Sequence, residues 1–199
     1  MAHRIELGAR RRVPISGVAE HRRGAAASEA RGGLLGLLRR IGLLLMRQPR
    51  GFAWVPACLW MGLIWYVSSL STPLGSDPHE TLAFFANLAH PFEFGVLTLL
   101  FLPTARRFQG WIQFDRETLG GRVFLILTYA GVDEFHQSFV LGRHSSTLDW
   151  LADAMGMYCT LKVAAYISDP EATSAGVVIR CLYGVFLCCI AASFTFLDV

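Results

Sequence analysis

The chain has 199 residues, of which 53% are hydrophobic and 17% are charged. Since ordinary soluble domains have about 25% charged residues, this composition excludes a charge-coated soluble enzyme and a wholly disordered chain. The net charge of +3 averages two regions, because residues 1–50 contain eleven Arg and three Glu, whereas residues 51–199 contain seven Lys or Arg and twelve Asp or Glu.

Residues 1–50 are predicted to form an arginine-rich region on the cytoplasmic side of a membrane. Residues 1–32 are rich in Arg, Ala and Gly and have little apolar clustering, which is typical of disordered chain. Aromatic residues do not alternate with these arginines, so we expect no nucleic-acid partner. The run Leu34–Met46 is apolar except for Arg39 and Arg40. It predicts an amphipathic helix that lies on the inner membrane surface.

Five later segments are long and apolar enough to cross a bilayer, which needs about 20 residues. They are Phe52–Ser71, Leu82–Pro103, Val123–Leu141, Leu148–Ile167 and Val177–Leu197. Because short loops join them, we predict an all-α fold, a polytopic membrane helix bundle with about five transmembrane helices. An open sheet is excluded, since its strand edges cannot be hydrogen-bonded in lipid. Residues 51–167 hold a four-helix core, and residues 168–199 add a C-terminal transmembrane helix.

The basic residues predict the orientation of this bundle. One side carries Arg47, Arg50, Arg106, Arg107, Arg116, Arg122, Lys162 and Arg180. The other side has the loop Thr72–Thr81, with Asp77 and Glu80, and the loop Gly142–Thr147, where Arg143 is the exception. Since loops rich in Lys and Arg stay in the cytoplasm, we expect a multi-pass protein of the inner (cytoplasmic) membrane. Its N-terminus would be cytoplasmic and its C-terminus external.

Several polar side chains are predicted to lie in the outer half of the bilayer. With a helical rise of about 1.5 Å per residue, His90 lies about 12 Å deep and Glu93 lies near the midplane. By the same rise, Asp133 and Glu134 lie about 10–12 Å below the outer surface. An isolated charge at the bilayer centre costs at least about 2.5 kcal/mol. We therefore expect these side chains to face the bundle interior or a water-filled cavity.

The spacing of the polar residues places them on shared helix faces. Asp133 and Gln137 are four residues apart, and His90 and Glu93 are three apart. One stripe of the fourth span carries Asp149, Asp153, Gly156 and Thr160. Glycine in such a stripe lets a neighbouring helix approach closely. Carboxyl groups gathered in an apolar interior are typical of sites where a side chain acts as acid or base.

These motifs resemble the signature of VanZ-like membrane proteins, a family named after an accessory factor for resistance to the glycopeptide teicoplanin. The family pattern is D-E-x-x-Q, then P-G-R, then D-x-x-x-N/D-x-x-G, and the matching positions here are Asp133, Glu134, Gln137, Gly142, Arg143, Asp149, Asp153 and Gly156. Upstream, Ser68, Ser69, His90 and Phe94 also resemble the family. The resemblance covers about Phe52 to Ile167. Asn87 and Leu141 stand where the family often has Lys and Pro.

The first functional hypothesis is an enzyme that acts on an amphiphilic envelope molecule through an outward-facing polar pocket. An envelope lipid or a lipid-linked precursor would enter from the outer leaflet, with the lipid bilayer itself as the other partner. The residues assigned to catalysis are Asp133, Glu134 and His90, in general acid and base roles. The residues assigned to substrate binding are Gln137, Arg143, Asp149, Asp153 and Glu93.

The cofactor and two further functional classes stay open at this stage. A divalent cation held by Asp149, Asp153 and His90 fits the ligand chemistry of several metals, but the spacing itself assigns no metal ligand. The second hypothesis is a non-catalytic protein that binds or shields a precursor, with the polar cluster as a structural ion-pair network. The third is a small proton-coupled transporter. The sequence makes this third class the least favoured, because the polar groups stop near the midplane.

Overall fold

The computed structural model describes residues 33–71, 80–108, 111–143 and 145–194. In these ranges the elements are α1 (Leu34–Met46), α2 (Arg50–Ser68), α3 (Glu80–Phe101), a 3-10 turn (Leu102–Thr104), β1 (Arg107–Phe108), β2 (Trp111–Ile112), α4 (Arg116–Gln137), α5 (Thr147–Ser168) and α6 (Ser174–Phe194). The predicted all-helical architecture is confirmed, apart from the small antiparallel hairpin of β1 and β2. The predicted disordered segment, residues 1–32, and Asp77 of the predicted outer loop lie outside the described residues.

Each predicted span coincides with one helix, α2 to α6, but the third was placed too late in the chain. The prediction was Val123–Leu141, whereas α4 begins at Arg116 and ends at Gln137. The early start has a local cause: Oδ1 of Asp115 accepts a hydrogen bond from the backbone N–H of Thr118 at 2.7 Å and so caps the helix. Hydropathy alone does not detect this polar first turn.

Replacing Asp115 with alanine should therefore weaken the start of α4. The change removes the acceptor for the N–H of Thr118 and should lower the free energy of unfolding by about 1 kcal/mol. The measurement is thermal unfolding of the purified protein in detergent. Asp115→Ser is the control, because serine also caps helices and should stay close to the wild type. Equal losses in both variants would contradict the capping role.

Two of the described helices, α2 and α6, are long and apolar enough to cross a membrane. Many of their large apolar side chains are exposed, and Leu59 and Leu182 are 70% and 65% exposed. A continuous apolar surface of this kind is suited to lipid rather than to water. The other three predicted spans coincide with α3, α4 and α5, which are not among the helices that meet this criterion of length and hydropathy. The five-span topology therefore remains a prediction.

The core of the bundle lies where α3 and α5 pack against each other, the most extensive contact between elements of the described chain. A Cβ atom on Gly156 of α5 would overlap the backbone carbonyl of Pro91 in α3. The predicted close approach at Gly156 is thus confirmed. The buried side chains around this contact are Ala57, Ile64, Phe94, Leu97, Phe101, Ile126, Ala130 and Met157.

Arginine side chains hold the ends of the helices by bonding to backbone carbonyls. Helix C-termini present carbonyl oxygens without intrahelical partners, and their partial negative charge favours cations. Arg39 of α1 donates to the carbonyls of Ile167 at 2.9 Å and Asp169 at 2.6 Å, at the end of α5. Other side chains with such bonds are those of Arg107, Arg122 and Arg143. Except for Arg143, these residues lie at the end of the bundle that α1 contacts.

The helix α1 has the predicted bounds and packs on this arginine-rich end. Leu35 is fully buried beside Ala172 and Val177. In contrast, Leu37 and Leu44 are 56% and 60% exposed. One face of α1 is therefore fixed to the bundle, and its other apolar residues are available to a membrane surface.

Candidate functional site

The end of the bundle opposite α1 gathers the acidic residues that the sequence analysis selected. The buried members come from two helices: Asp133 and Glu134 from α4 and Asp153 from α5. Their exposed fractions are 1%, 5% and 1%, respectively. The expectation that these side chains face the interior of the bundle is confirmed.

His90, Glu134 and Asp153 form a compact group, which we call the HED cluster. Nδ1 of His90 lies 3.4 Å from Oδ1 of Asp153 and 3.8 Å from Oε1 of Glu134. One potential ligand atom from each residue lies within 4.8 Å of the other two. These separations are longer than the 2.7–2.9 Å typical of charge-assisted hydrogen bonds. Neither carboxylate therefore lies within the length of a charge-assisted hydrogen bond from Nδ1 of His90.

Asp133 belongs to a separate hydrogen-bonded group. Its Oδ2 accepts hydrogen bonds from Oγ of Ser68 at 2.8 Å and from Nε2 of Gln137 at 2.9 Å. The predicted pairing of Asp133 and Gln137 on one helix face is confirmed. The carboxylate nearest to Nδ1 of His90 is that of Asp153, not that of Asp133. Asp133 instead joins α4 to the end of α2.

The loop after α4 orients Glu134. The backbone N–H of Ser146 donates a hydrogen bond to Oε2 of Glu134 at 3.0 Å. Oγ of the same serine accepts from the N–H of Leu148 at 3.0 Å and caps α5. One residue therefore fixes both a carboxylate of the HED cluster and the start of the helix that carries Asp153.

Arg143 binds the end of α2. Its Nη2 donates to the carbonyl of Val67 at 3.0 Å, and its Nε lies 3.3 Å from the carbonyl of Leu70. The sequence placed Arg143 directly above the carboxylates as a grip for an anionic substrate. The structure gives two of its nitrogen atoms a structural task at the C-terminus of α2, where a cation is favoured.

The remaining candidates, Glu93 and Asp149, lie one turn from members of the HED cluster. Glu93 follows His90 on α3 and is half-buried, and its backbone carbonyl accepts a hydrogen bond from Nε1 of Trp60 at 3.0 Å. Asp149 is in the first turn of α5, one turn before Asp153. The sequence analysis considered His90, Asp149 and Asp153 as possible ligands of a divalent cation. The structure brings His90 and Asp153 together, but the third member of the cluster is Glu134 and not Asp149.

His136 lies outside the HED cluster and contacts the end of α2. Its ring stacks on Trp65 with a centroid distance of 4.0 Å. Its Nε2 lies 3.0 Å from Oγ of Ser69. The side chain thus contacts a neighbouring helix, α2, and strengthens the same α2–α4 contact that Asp133 makes.

Sequence reasoning missed several residues that support the site. Ser146 was not selected, although a serine before an apolar helix is a common N-cap signal. Two aromatic residues were not selected either: Tyr129 donates to the carbonyl of Met61 at 2.6 Å, and Trp150 donates to that of Leu127 at 3.0 Å. Only Tyr129 offered a signal, because it lies away from the ends of its helix, whereas interfacial aromatic belts lie at the ends.

An apolar groove of about 410 Å³ runs between α3, α5 and α6. Pro91 and Gly156, which neighbour His90 and Asp153 along their helices, line one part of it. The groove is otherwise lined mainly by apolar side chains, including Leu88, Phe92, Val96, Val163 and Val185. Its position brings an apolar surface close to the HED cluster.

A helical bundle with an apolar outer surface and buried carboxylates inside defines an integral membrane protein with a polar interior cluster. The model of the VanZ/LLP1 family matches residues 47–167. The chain therefore belongs to the VanZ/LLP1 family, and the resemblance found in the sequence is confirmed. No curated protein and no solved structure shows significant similarity to the chain. The matched range contains the HED cluster, whereas α1 and α6 lie outside it.

Proposed function

We propose that this protein binds the headgroup of a cell-envelope lipid or lipid-linked precursor at the HED cluster and acts on it chemically. The observation that carries the proposal is the convergence of buried polar atoms that lack hydrogen-bond partners among the described residues: Nδ1 of His90, Oε1 of Glu134 and both carboxylate oxygens of Asp153. An unsatisfied buried polar atom costs about 1–3 kcal/mol. A ligand at this position would offset that cost.

The proposal includes five transmembrane helices, α2 to α6, in the inner (cytoplasmic) membrane. The bundle end with Arg39, Arg107, Arg122 and Arg180 would face the cytoplasm, because basic residues are enriched on that side. The N-terminus would then be cytoplasmic and the C-terminus external. The HED cluster, near the other end, would open to the outer leaflet, where envelope precursors are used.

The apolar groove supports a lipid as the substrate class. Its volume of about 410 Å³ suits part of an acyl or prenyl chain, and it lies between helices that also carry the cluster. A chain in this groove would hold the attached headgroup beside His90 and Asp153. Since apolar burial contributes roughly 25 cal/mol per Å², the chain would supply affinity and the polar residues would supply chemistry.

In this mechanism Glu134 is the general base. Its Oε2 is held by the N–H of Ser146, which leaves Oε1 directed toward His90 at 3.8 Å. Glu134 would take a proton from a water molecule or a substrate hydroxyl, and His90 would supply a proton to the leaving group. Asp153 would orient the imidazole of His90. Asp133, whose Oδ2 already accepts two hydrogen bonds, would act as a positioning residue.

The function is tested by an untargeted mass-spectrometric profile of envelope lipids in a deletion strain. The strain is complemented with the wild type, with Glu134→Gln or with Glu171→Gln at equal membrane abundance. Glu171 is exposed in the loop between α5 and α6 and serves as the control. We expect one lipid class to change with the wild type and the control and to stay unchanged with Glu134→Gln. Identical profiles for all three complemented strains would exclude the enzymatic proposal.

The second candidate is a non-catalytic protein that shields an envelope precursor, with glycopeptide (teicoplanin) resistance as its phenotype. The observation in its favour is the hydrogen-bonded group of Asp133, Ser68 and Gln137, in which Oδ2 of Asp133 accepts two hydrogen bonds and joins α4 to α2. Here Glu134→Gln would leave the lipid profile unchanged. Teicoplanin susceptibility of the deletion strain would still rise, and the wild-type gene would restore resistance.

A further inference from the structure

We propose that Nδ1 of His90, Oε1 of Glu134 and Oδ1 of Asp153 bind one divalent transition-metal ion of the Zn²⁺ or Mn²⁺ type. These atoms lie on three different helices, α3, α4 and α5, and within 4.8 Å of one another. An imidazole nitrogen with two carboxylate oxygens is a ligand set that both ions accept. The site is independent of the lipid proposal, because metal binding can be measured without any substrate.

The distances match the size of such an ion. Zinc binds nitrogen and carboxylate oxygen at about 2.0–2.2 Å, and two ligands of a tetrahedral site are then about 3.4 Å apart. The observed separations from Nδ1 of His90 are 3.4 Å to Asp153 and 3.8 Å to Glu134. Both separations are thus close to the distance between two ligands of one such ion.

The competing explanation is a direct ion pair between a protonated His90 and the two carboxylates. Such a pair would close to about 2.7–2.9 Å, and the observed distances are longer. At the observed distances both oxygens of Asp153 lack a hydrogen bond from the described residues, although this side chain is only 1% exposed, and a closed ion pair would satisfy Oδ1 but not Oδ2. A cation satisfies an oxygen of each carboxylate and the imidazole nitrogen at once.

The charge balance favours a divalent ion as well. When both carboxyl groups are ionised they carry a charge of −2, and a protonated imidazole would leave −1 in an apolar interior that also holds Asp133. Uncompensated buried charge is strongly destabilising. A divalent cation on a neutral His90 brings the three ligands to zero net charge.

The surroundings of the cluster resemble the outer shell of a metal site. Ligating carboxylates in such sites are themselves hydrogen-bonded, which fixes their orientation. The N–H of Ser146 bonds to Oε2 of Glu134 at 3.0 Å and leaves Oε1 for the metal. Three protein ligands would leave at least one coordination position open. If the lipid proposal also holds, that position would take a headgroup oxygen or a water molecule, and His90 and Glu134 would serve as ligands of the ion instead of as free acid and base.

The test uses the full chain, purified in detergent and stripped of metal, and then titrated separately with Zn²⁺ and Mn²⁺. Elemental analysis after removal of unbound metal should find about one ion per wild-type chain, as one open three-ligand site requires. Asp153→Asn and His90→Gln should reduce the affinity by more than about tenfold, the loss caused even by changes outside the ligand shell. Glu171→Gln, which is far from the cluster, should bind like the wild type.

Size-exclusion profiles show whether each variant is folded, and the thermal shift on adding metal gives a second readout. Binding to the folded state raises the melting temperature. We expect this rise for the wild type and Glu171→Gln but not for folded Asp153→Asn. Failure of the wild type to bind either ion, or equal binding by Asp153→Asn, would overturn the metal proposal. A lipid change that depends on Glu134, in a protein that binds neither ion, would overturn the metal proposal alone, and one bound ion with no Glu134-dependent lipid change would overturn the enzymatic proposal alone.

Discussion

Replacing Gly156 with alanine should destabilise the bundle more than the same change at other helical glycines with free space around them. The added Cβ would overlap the backbone carbonyl of Pro91, and a carbonyl in a helix cannot rotate away as a side chain can. The helices α3 and α5 would have to separate. Overpacking of this kind costs about 1–3 kcal/mol, and occasionally more. The measurement is the melting temperature of the purified protein in detergent.

Gly62 provides the matched control, because a Cβ added there has no neighbour within 4 Å. Alanine favours helix over glycine by up to about 1 kcal/mol, so Gly62→Ala should keep or raise stability. The same change from glycine to alanine is thus expected to lower the melting temperature at Gly156 and to keep or raise it at Gly62. A melting temperature for Gly156→Ala at or above that of Gly62→Ala would contradict the α3–α5 contact. Since that contact also positions His90 and Asp153, we expect Gly156→Ala to weaken metal binding too.

Replacing Asp133 with alanine should also cause a large loss of stability. Oδ2 of Asp133 accepts hydrogen bonds from Ser68 and Gln137, which are only 5% and 3% exposed. The substitution would leave both donors buried without an acceptor, at about 1–3 kcal/mol for each. The contact between α2 and α4 should loosen. The melting temperature and the rate of proteolysis of the α2 end would report this change.

The variant Asp133→Asn shows whether Asp133 acts through its hydrogen bonds or through its negative charge, because asparagine keeps an acceptor oxygen but is neutral. Its side-chain oxygen can still accept from Ser68 or Gln137, so most of the stability should return. If Asp133 is a positioning residue, Asp133→Asn should also retain most of the lipid conversion that Glu134→Gln loses. A stable Asp133→Asn protein with no lipid conversion would instead place Asp133 among the catalytic groups.

The helices were largely predictable because apolar runs of about 20 residues in this chain correspond to whole helices. For α1 the predicted and observed bounds are the same, Leu34–Met46. The limits of the later helices depend on features that hydropathy does not include. The start of α4 depends on the cap by Asp115. The hairpin of β1 and β2 was not predicted, since two residues per strand give no periodic pattern.

The candidate site was predictable in its members but not in its partners. Helical spacing placed Asp133 beside Gln137, and depth placed His90 near Glu134. Neither spacing nor depth could show that His90 lies closest to Asp153. That proximity depends on the rotation of α3 relative to α5, which the contact of Gly156 with Pro91 sets. The role of Ser146 depends on a backbone N–H, and every residue type except proline has one.

The arginine contacts have a consequence for sequence variation in the family. Within the matched range, Arg107 and Arg143 bond to backbone carbonyls at the ends of other helices. A backbone acceptor persists whatever side chain occupies its position. Val67 and Leu70, for example, can be replaced during evolution without loss of the bond to Arg143, provided that α2 still ends there. Alignments of relatives should therefore show conserved arginines at these positions with no covarying acidic partner.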